Sequence, residues 1–370
     1  MDAKPWLAHY DSGVPQSLQP YPNKTLVDIV AETARQRPAH TALIFKGVQL
    51  SYGELDRQTD AFAAALATLG VKKGDRVALV MPNCPQGIIA QLGAWKVGAI
   101  AAPLNPIYTE RELELALNEC GAETTVVLTP FYRKIKAIQA NTKLTRVIAT
   151  NIKEYLPPLP RLLFTLVKEK KEGHRIELEA GDRWMSDLTQ QHAAAARPQI
   201  EVMPDDEALL LFTGGTTGIP KAAIGTHRAL LCSGLQIRTW FGQVLDEWND
   251  VILCNMPMFH VYGNAGAISV SLVGHGSLAI VPNPRDIPDL LRTIQQTRAA
   301  FFPGVPALFN ALVNHPDVRS GKVSLRSVKA CISGAAPLLA ETKRQFEALT
   351  GGRIVEGYAL TETISYHAAY

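Results

Sequence analysis

Short apolar runs alternate with stretches of helical periodicity along most of this chain, and that rhythm limits the folds open to it. Arg76 to Val80, Ala99 to Leu104, Thr124 to Leu128 and Thr145 to Ala149 are compact and mainly apolar or β-branched. Between them, Gln86 to Val97 places Ile88, Ile89, Leu92 and Trp95 at helical spacing. Thr109 followed by Glu112 makes a capping box that opens another helix. Buried strands alternating with helices over short connections predict parallel sheets covered on both faces.

The flanking segments fit the same scheme. A helix is expected near Thr25 to Arg37, stopped by Pro38, and another over Gly53 to Leu69. Thr41 to Phe45 and Val48 to Tyr52 flank Lys46-Gly47, the pattern of a hairpin. In the second half, strands are expected at Val251 to Met256, Leu278 to Val281, Ala299 to Phe302, Val328 to Ile332 and Arg353 to Val355. The polar, Ala-rich link HAAAARPQIEVMPDD marks a boundary, giving a first α/β subdomain over 1–195 and a second over 196–370.

With 370 residues, the chain is too long for one small core. A net charge of +3 leaves no footprint for nucleic acid. The five cysteines are scattered, with no CxxC pair, so neither a disulfide framework nor a zinc site is expected. A reducing, cytoplasmic setting fits. No run approaches the length of a spanning helix, and the opening MDAKPWLAHYDSGVP has no apolar stretch of a secretory signal.

Chemistry collects around LFTGGTTGIPKAAIGTH, Leu211 to His227. An apolar run ends, Thr213 to Lys221 is almost entirely Gly, Thr, Pro and Lys, and apolar periodicity resumes, so strand, loop and helix are expected. Gly214, Gly215 and Gly218 let the backbone approach a ligand. Thr213, Thr216 and Thr217 offer hydroxyls, and Lys221 a cation, which together suit a polyphosphate. A glycine-rich surface turn is the plainer reading. The loop is not a Walker A, because Ile219 and Pro220 separate Gly218 from Lys221 and Ala222 replaces the metal-binding Ser/Thr.

Three more strands end in unusual loops: PMFH, SGAAP and EGYALTET. Ligands of open parallel sheets bind at the carboxyl ends of strands, so all four loops are expected at one edge. Gly334, Ala335 and Ala336 leave room for a flat base, Tyr358 can stack on it, and Glu362 can hold Mg²⁺. Each has a plain alternative: His260 as a satisfied core histidine, Tyr358 as core, Glu356 and Glu362 as solvated acids.

Residues 152–179 break the rhythm. Pro157, Pro158 and Pro160 are expected to prevent a helix at the start. Leu162 to Val167 then precede Lys168, Lys170, Lys171 and Arg175. Such a segment either rests on an anionic membrane surface or is a packed helix with a solvated end.

Taken together, TGGTTGIPK, PMFH and EGYALTET resemble the AMP-forming acyl-adenylating enzymes. VPNPRDIPDLLRTI followed by PGVPALFNALVNHPD is similar to their long-chain fatty acyl-CoA ligases. The resemblance implies an α/β large domain of two packed, parallel-rich sheets covered by helices, with room for a small β-rich portion and without the family's C-terminal lid domain. It implies that Thr213 to Lys221 hold ATP phosphates. Gly334, Ala335 and Ala336 would line the adenine pocket opposite Glu356, Gly357 and Tyr358. Thr361 would touch the α-phosphate and Glu362 bind Mg²⁺. Lys221, His260, Thr361 and Glu362 form the catalytic set, with His260 where carboxylate and nucleotide meet. Val261, Gly263, Asn264 and Gly266 would border an acyl channel. The implied partners are a fatty acid, ATP and CoA, with Mg²⁺ as cofactor. On the residues alone, peripheral contact of 162–175 with anionic membrane at its inner face is the further expected partner, and a homodimer stays open. Low turnover is expected of a chain without the lid domain. An aryl or other carboxylic acid is the alternative substrate, and a non-catalytic nucleotide- or lipid-binding module the alternative class.

Overall fold

The computed structural model describes residues 4–213 and 221–369, and only the backbone of 365–369. Its strands, in chain order, are β1 Thr41–Phe45, β2 Val48–Ser51, β3 Arg76–Val80, β4 Ile100–Leu104 and β5 Thr124–Leu128. Then come β6 Arg146–Thr150, β7 Arg183–Trp184, β8 Glu207–Thr213, β9 Lys221–Thr226 and β10 Val251–Cys254. The last are β11 Ser277–Ile280, β12 Phe301–Gly304, β13 Ala330–Ser333, β14 Arg353–Leu360 and β15 Ser365–Ala369.

They form two sheets, ordered β15-β14-β13-β12-β10-β11-β1-β2 and β7-β6-β5-β3-β4-β8-β9. Interior pairs are parallel, as expected for strands buried on both faces. Antiparallel pairs sit at edges: β1 with β2, β14 with β15, and β8 with β9. The β1–β2 turn has Lys46 and Gly47 both at positive φ, 50° and 88°, as a type I′ hairpin requires.

The sheets do not divide the chain at residue 195. β1 and β2 complete the sheet of the second half, and β8 and β9 complete that of the first. Between the two lies the helix Pro85–Lys96, buried at every residue. Its near-continuous apolarity, with Pro85 in the first turn, fits an element enclosed on all sides. Gly93 lets it press against the helix Tyr52–Thr68: a Cβ there would lie 2.7 Å from Phe62 Cδ1. Lys96 is fully buried and contacts Asp56 and Asp60, each at 2.6 Å, which compensates its desolvation. Trp95 Nε1 donates to the Ala208 carbonyl at 2.6 Å and ties the same helix to β8.

Two local expectations are corrected. The segment after the 213–221 loop begins as a strand, not a helix: β9 pairs with β8 from Thr213–Lys221 back to Glu207–Thr226, and the helix starts at His227. Its sequence, KAAIGT, lacks apolar alternation because an edge strand can be made by backbone pairing alone. The prolines at 157–160 do not bar a helix. Pro158–Leu163 is helical because Pro158 and Pro160 fall in the first turn, where N–H groups have no intrahelical acceptor.

Candidate functional site

The carboxyl ends of β10, β12, β13 and β14 share one edge of the larger sheet, so PMFH, SGAAP and EGYALTET gather there. The fourth loop does not come from that sheet, as had been expected. It follows β8, which belongs to the smaller sheet and, with β9, lies against the turn Thr361–Thr363. Gly214, Gly215, Thr216, Thr217 and Gly218 lie outside the described residues. Of that loop, Thr213 ends β8 half-buried and Lys221 starts β9 exposed.

His260 caps the short helical turn Val261–Gly263. Its Nδ1 accepts the Tyr262 N–H at 3.1 Å, so the proton of a neutral ring sits on Nε2. Surrounding protein desolvates the ring and holds its pKa below the ordinary imidazole value. At neutral pH His260 is therefore an uncharged donor at the solvent-accessible rim of the site.

Tyr262 follows, and no spacing in the sequence marks it. Its Oη lies 2.8 Å from the Gly304 carbonyl and 2.7 Å from that of Ile332, and accepts the Gly304 N–H at 3.0 Å. It thus clasps the ends of β12 and β13. Its ring occupies the space beside Gly334, where a Cβ would lie 3.2 Å from Cε1. Ala335 and Ala336 are exposed beyond it, and Ala335 holds φ at +70°, a left-handed conformation that costs a non-glycine residue. Such strain persists where the surroundings impose it, and it often marks a site.

Glu356 stands opposite, register partner of Ser333. One of its carboxylate oxygens accepts the Leu338 N–H at 3.1 Å and closes the SGAAP loop. Gly357 and Tyr358 lie on β14 rather than in a loop, because β14 continues to Leu360 to pair with β15. Tyr358 is 51% exposed. Thr361 is half-buried and Glu362 exposed in the following turn. Among the described residues no cluster of three metal-ligating side chains occurs. A lone carboxylate fits Mg²⁺ shared with phosphate oxygens, not a protein cage.

The helix after His260 contains a π-turn over Asn264–Ser269, a deviation common at functional sites. Two of its residues are held by local contacts. The space a side chain on Gly263 would need is filled by the Pro257 carbonyl, 2.1 Å from the Cβ position. The turn requires glycine there. Asn264 is fully engaged: its Oδ1 accepts Gln91 Nε2 at 2.7 Å and its Nδ2 donates to the Met258 carbonyl. Val261 and Gly266 are buried in the same helix.

Asn83, also unforeseen, holds the PMFH loop from the opposite sheet. Its Oδ1 accepts the Met258 N–H at 2.8 Å, and its Nδ2 lies 2.9 Å from the Met256 carbonyl and 3.2 Å from those of Cys254 and Val281. Asn255 and Ser333, at the ends of β10 and β13, are buried, and their side-chain polar atoms have no hydrogen-bond partner among the described residues. A buried polar group without a partner is costly unless water or a ligand supplies one.

Two mostly parallel sheets that exchange edge strands, with small-residue loops at the carboxyl ends of one of them, make an α/β domain of two packed sheets. Residues 30–369 match the AMP-binding enzyme family, and the chain belongs to it. It is 33% identical over 360 residues to a long-chain-fatty-acid–CoA ligase of Bacillus subtilis strain 168, covering 97% of this chain and 63% of the relative. A ligase of the same name from Escherichia coli O157:H7 is 31% identical over 363 residues, with 97% and 64% covered. The chain therefore spans just under two thirds of the length of these relatives. A solved long-chain-fatty-acid-CoA ligase from Archaeoglobus fulgidus shares the fold, with a TM-score of 0.79 at 23% identity, covering 97% of this chain and 68% of that one.

Proposed function

We propose that this region activates a long-chain fatty acid with ATP. A carboxylate oxygen attacks the α-phosphorus, the bond to pyrophosphate breaks, and acyl-adenylate forms. The thiol of CoA then displaces AMP and loses its proton. One observation carries the reading: Tyr262 joins the His260 turn to the ends of β12 and β13, putting an acid-side donor beside a small-residue loop. The curated relatives' names favour a fatty acid over an aryl acid.

Each residue has a task in that reaction. Lys221, with the Thr213 to Gly218 loop, receives the phosphates. Gly334, Ala335 and Ala336 face the adenine from one side, and Glu356, Gly357 and Tyr358 from the other. Thr361 donates to the α-phosphate. Glu362 would hold Mg²⁺, which supplies charge neutralisation when bound. His260 Nε2–H donates to the oxygen shared between acid and phosphorus, and Val261 and Gly266 border the acyl side. No cysteine enters: all five are free, and Cys84, Cys254 and Cys331 are buried with thiol pKa values pushed up by desolvation, Cys84 and Cys254 to about 12. Catalysis here is positioning plus electrostatic stabilisation. The setting proposed is the cytoplasm at an inner membrane face, met through residues 162–175.

The test is calorimetric titration with non-hydrolysable acyl-sulfamoyl-adenosines of long-chain and aromatic acids, paired with pyrophosphate exchange on the same acids. Preference for the long-chain analogue is expected. Preference for the aromatic one would move the reading to an aryl-acid ligase. Binding without exchange, even with a lid domain appended, would point to a non-catalytic module.

A further inference from the structure

Met258, two residues before His260, sits in a socket built by one short segment of the opposite sheet. Its N–H donates to Asn83 Oδ1 at 2.8 Å. Its carbonyl accepts Asn264 Nδ2, and Asn264 is oriented in turn by Gln91, whose Nε2 donates to Asn264 Oδ1 at 2.7 Å. Its side chain lies over Gly87, where a Cβ would sit 2.9 Å from Met258 Cε and 3.4 Å from Met81 Sδ. Gly87 and Gln91 are four residues apart on the helix Pro85–Lys96, so they share a face. The socket therefore comes from residues 81–91, the stretch that leaves β3.

The direction of each bond in the series is fixed. The Met258 carbonyl can only accept, so Asn264 turns its NH₂ to it and its oxygen to Gln91. Gln91 must then give its own NH₂, which leaves Gln91 Oε1 buried with no hydrogen-bond partner among the described residues. An unmet buried acceptor is unfavourable, and a helix enclosed on all sides ordinarily carries an apolar side chain at such a position. What the amides provide is a single arrangement where apolar packing accepts several. The series ends on the His260 turn. The His260 N–H donates to the Pro257 carbonyl at 3.1 Å, and the His260 carbonyl accepts the Asn264 N–H at 3.2 Å. Asn264 thus grips the chain on both sides of Phe259.

We propose that Gln91 is a positioning residue for His260: by orienting Asn264 it fixes the Met258 and His260 carbonyls, and with them the place of the imidazole Nε2–H. The role rests on the reading of His260 as the donor where acid and phosphate meet. Gln91 belongs to the helix packed between the sheets, so the donor is set by an element outside the sheet that carries His260. The adenine side is held separately, by the Tyr262 clasp on β12 and β13 and by Glu356 on the SGAAP loop. Loss of the Gln91 bond is therefore felt by the acid and not by the base.

The test is Gln91→Met, which keeps the volume and removes the donor. Trp95→Phe is the control, because it breaks the same helix's bond to the Ala208 carbonyl and none of the bonds to Met258. In ¹⁵N–¹H spectra of the imidazoles, with His260 assigned by His260→Gln, the parent should show the Nε2–H tautomer, since Nδ1 accepts the Tyr262 N–H. Gln91→Met should mix the two tautomers, and Trp95→Phe should not. By calorimetry, Gln91→Met should weaken a long-chain acyl-sulfamoyl-adenosine about tenfold, where a misplacement of about 1 Å can cost about a hundredfold. AMP should bind it as it binds the parent. Gln91→Met with the parent's tautomer, or both variants weakening both ligands alike, overturns the proposal. So does a tautomer shift that leaves binding of the analogue unchanged. If Gln91→Met does not fold, Gln91→Asn withdraws the same amide and is expected to act in the same direction. The tautomer readout uses no ligand, so it decides the matter even where the parent binds no analogue and the adenylation reading has failed.

Discussion

Ile364 fills the space over Gly225: a Cβ on that glycine would lie 2.8 Å from Ile364 Cγ1. The contact joins β9 of one sheet to the turn that ends β14 of the other. Ile364 is 1% exposed and holds φ at +51°, an outlier for a β-branched residue. Burial against Gly225 offsets that strain and fixes Thr361 and Glu362 over the β8–β9 hairpin. Gly225→Ala forces the turn to shift, a cost of about 1–3 kcal/mol for overpacking. Affinity for an acyl-adenylate analogue should fall about tenfold for each 1.4 kcal/mol not relieved elsewhere. Unchanged affinity by calorimetry would show that the turn does not depend on this contact.

Tyr262→Phe removes only an oxygen, yet the Gly304 N–H loses its acceptor in a buried setting. An unsatisfied buried donor costs about 1–3 kcal/mol. Denaturant unfolding should show that loss. Analogue binding should weaken in the same variant, because the SGAAP loop is held by the clasp. A variant that is destabilised but binds normally would reduce Tyr262 to a structural role.

Local order was legible in the sequence; long-range partnership was not. The Lys46-Gly47 hairpin and the Thr109–Glu112 capping box appear where residue chemistry placed them, because both depend on neighbours within four positions. Asp286 is a local signal of the same kind: its carboxylate caps the helix Ile287–Thr297 by accepting the Asp289 N–H at 3.1 Å. β9 escaped notice because Ala222 and Ala223 carry no alternation, and pairing with β8 makes it a strand. Asn83 and Tyr262 escaped because their partners lie far along the chain, 175 residues away for Asn83 and Met258. Four unusual loops after strands are legible from composition alone. They do not share one sheet, since β8 pairs in the smaller one, and nothing within a strand records which sheet it joins.

Gly263→Ala separates two explanations of a small residue. If Gly263 leaves room for an acyl chain, alanine should shift chain-length preference and leave the fold alone. With the Pro257 carbonyl 2.1 Å from the Cβ position, the expected result is instead a large stability loss. Overpacking costs reach about 3 kcal/mol or more where backbone must move. Thermal melting of this variant decides the matter: a melting point equal to the parent's would favour the channel reading.

His227 gives the fold a pH dependence. It is 1% exposed, sits edge-on to Trp95, and its pKa is lowered from 6.5 to about 4 by burial, partly opposed by Asp206 and Asp28. The unfolded chain takes up this proton near pH 6.5, and the folded chain only near pH 4. Between these values the unfolded state binds more protons, so stability falls as pH falls, by up to about 1.4 kcal/mol per pH unit from this group. His174, His260 and His275 are shifted the same way, each chiefly by desolvation. Urea unfolding at pH 5, 6 and 7 should show the slope, and His227→Gln should flatten it whatever its effect at pH 7. A slope identical in both proteins would assign the effect to the other three histidines.

Glu362 and Lys221 are both exposed, so replacing either should leave the melting point unchanged while binding responds. Their responses should differ in kind. Glu362 would meet phosphate through a shared Mg²⁺, a cation that keeps several waters and takes only one or two protein carboxylates. Removing that carboxylate, Glu362→Gln, should raise the Mg²⁺ concentration needed for half-maximal ATP-analogue binding about tenfold, the equivalent of 1.4 kcal/mol. At saturating Mg²⁺ the affinity should approach the parent's. Lys221 would meet phosphate directly as a point charge. Lys221→Gln should therefore weaken binding to a similar extent at every Mg²⁺ concentration, and leave the Mg²⁺ midpoint where it was. Titrating Mg²⁺ against a fixed fluorescent ATP analogue reads both quantities at once. If the midpoint moves for Lys221→Gln and not for Glu362→Gln, the two roles are reversed, and the turn after β14 is not the metal side of the site.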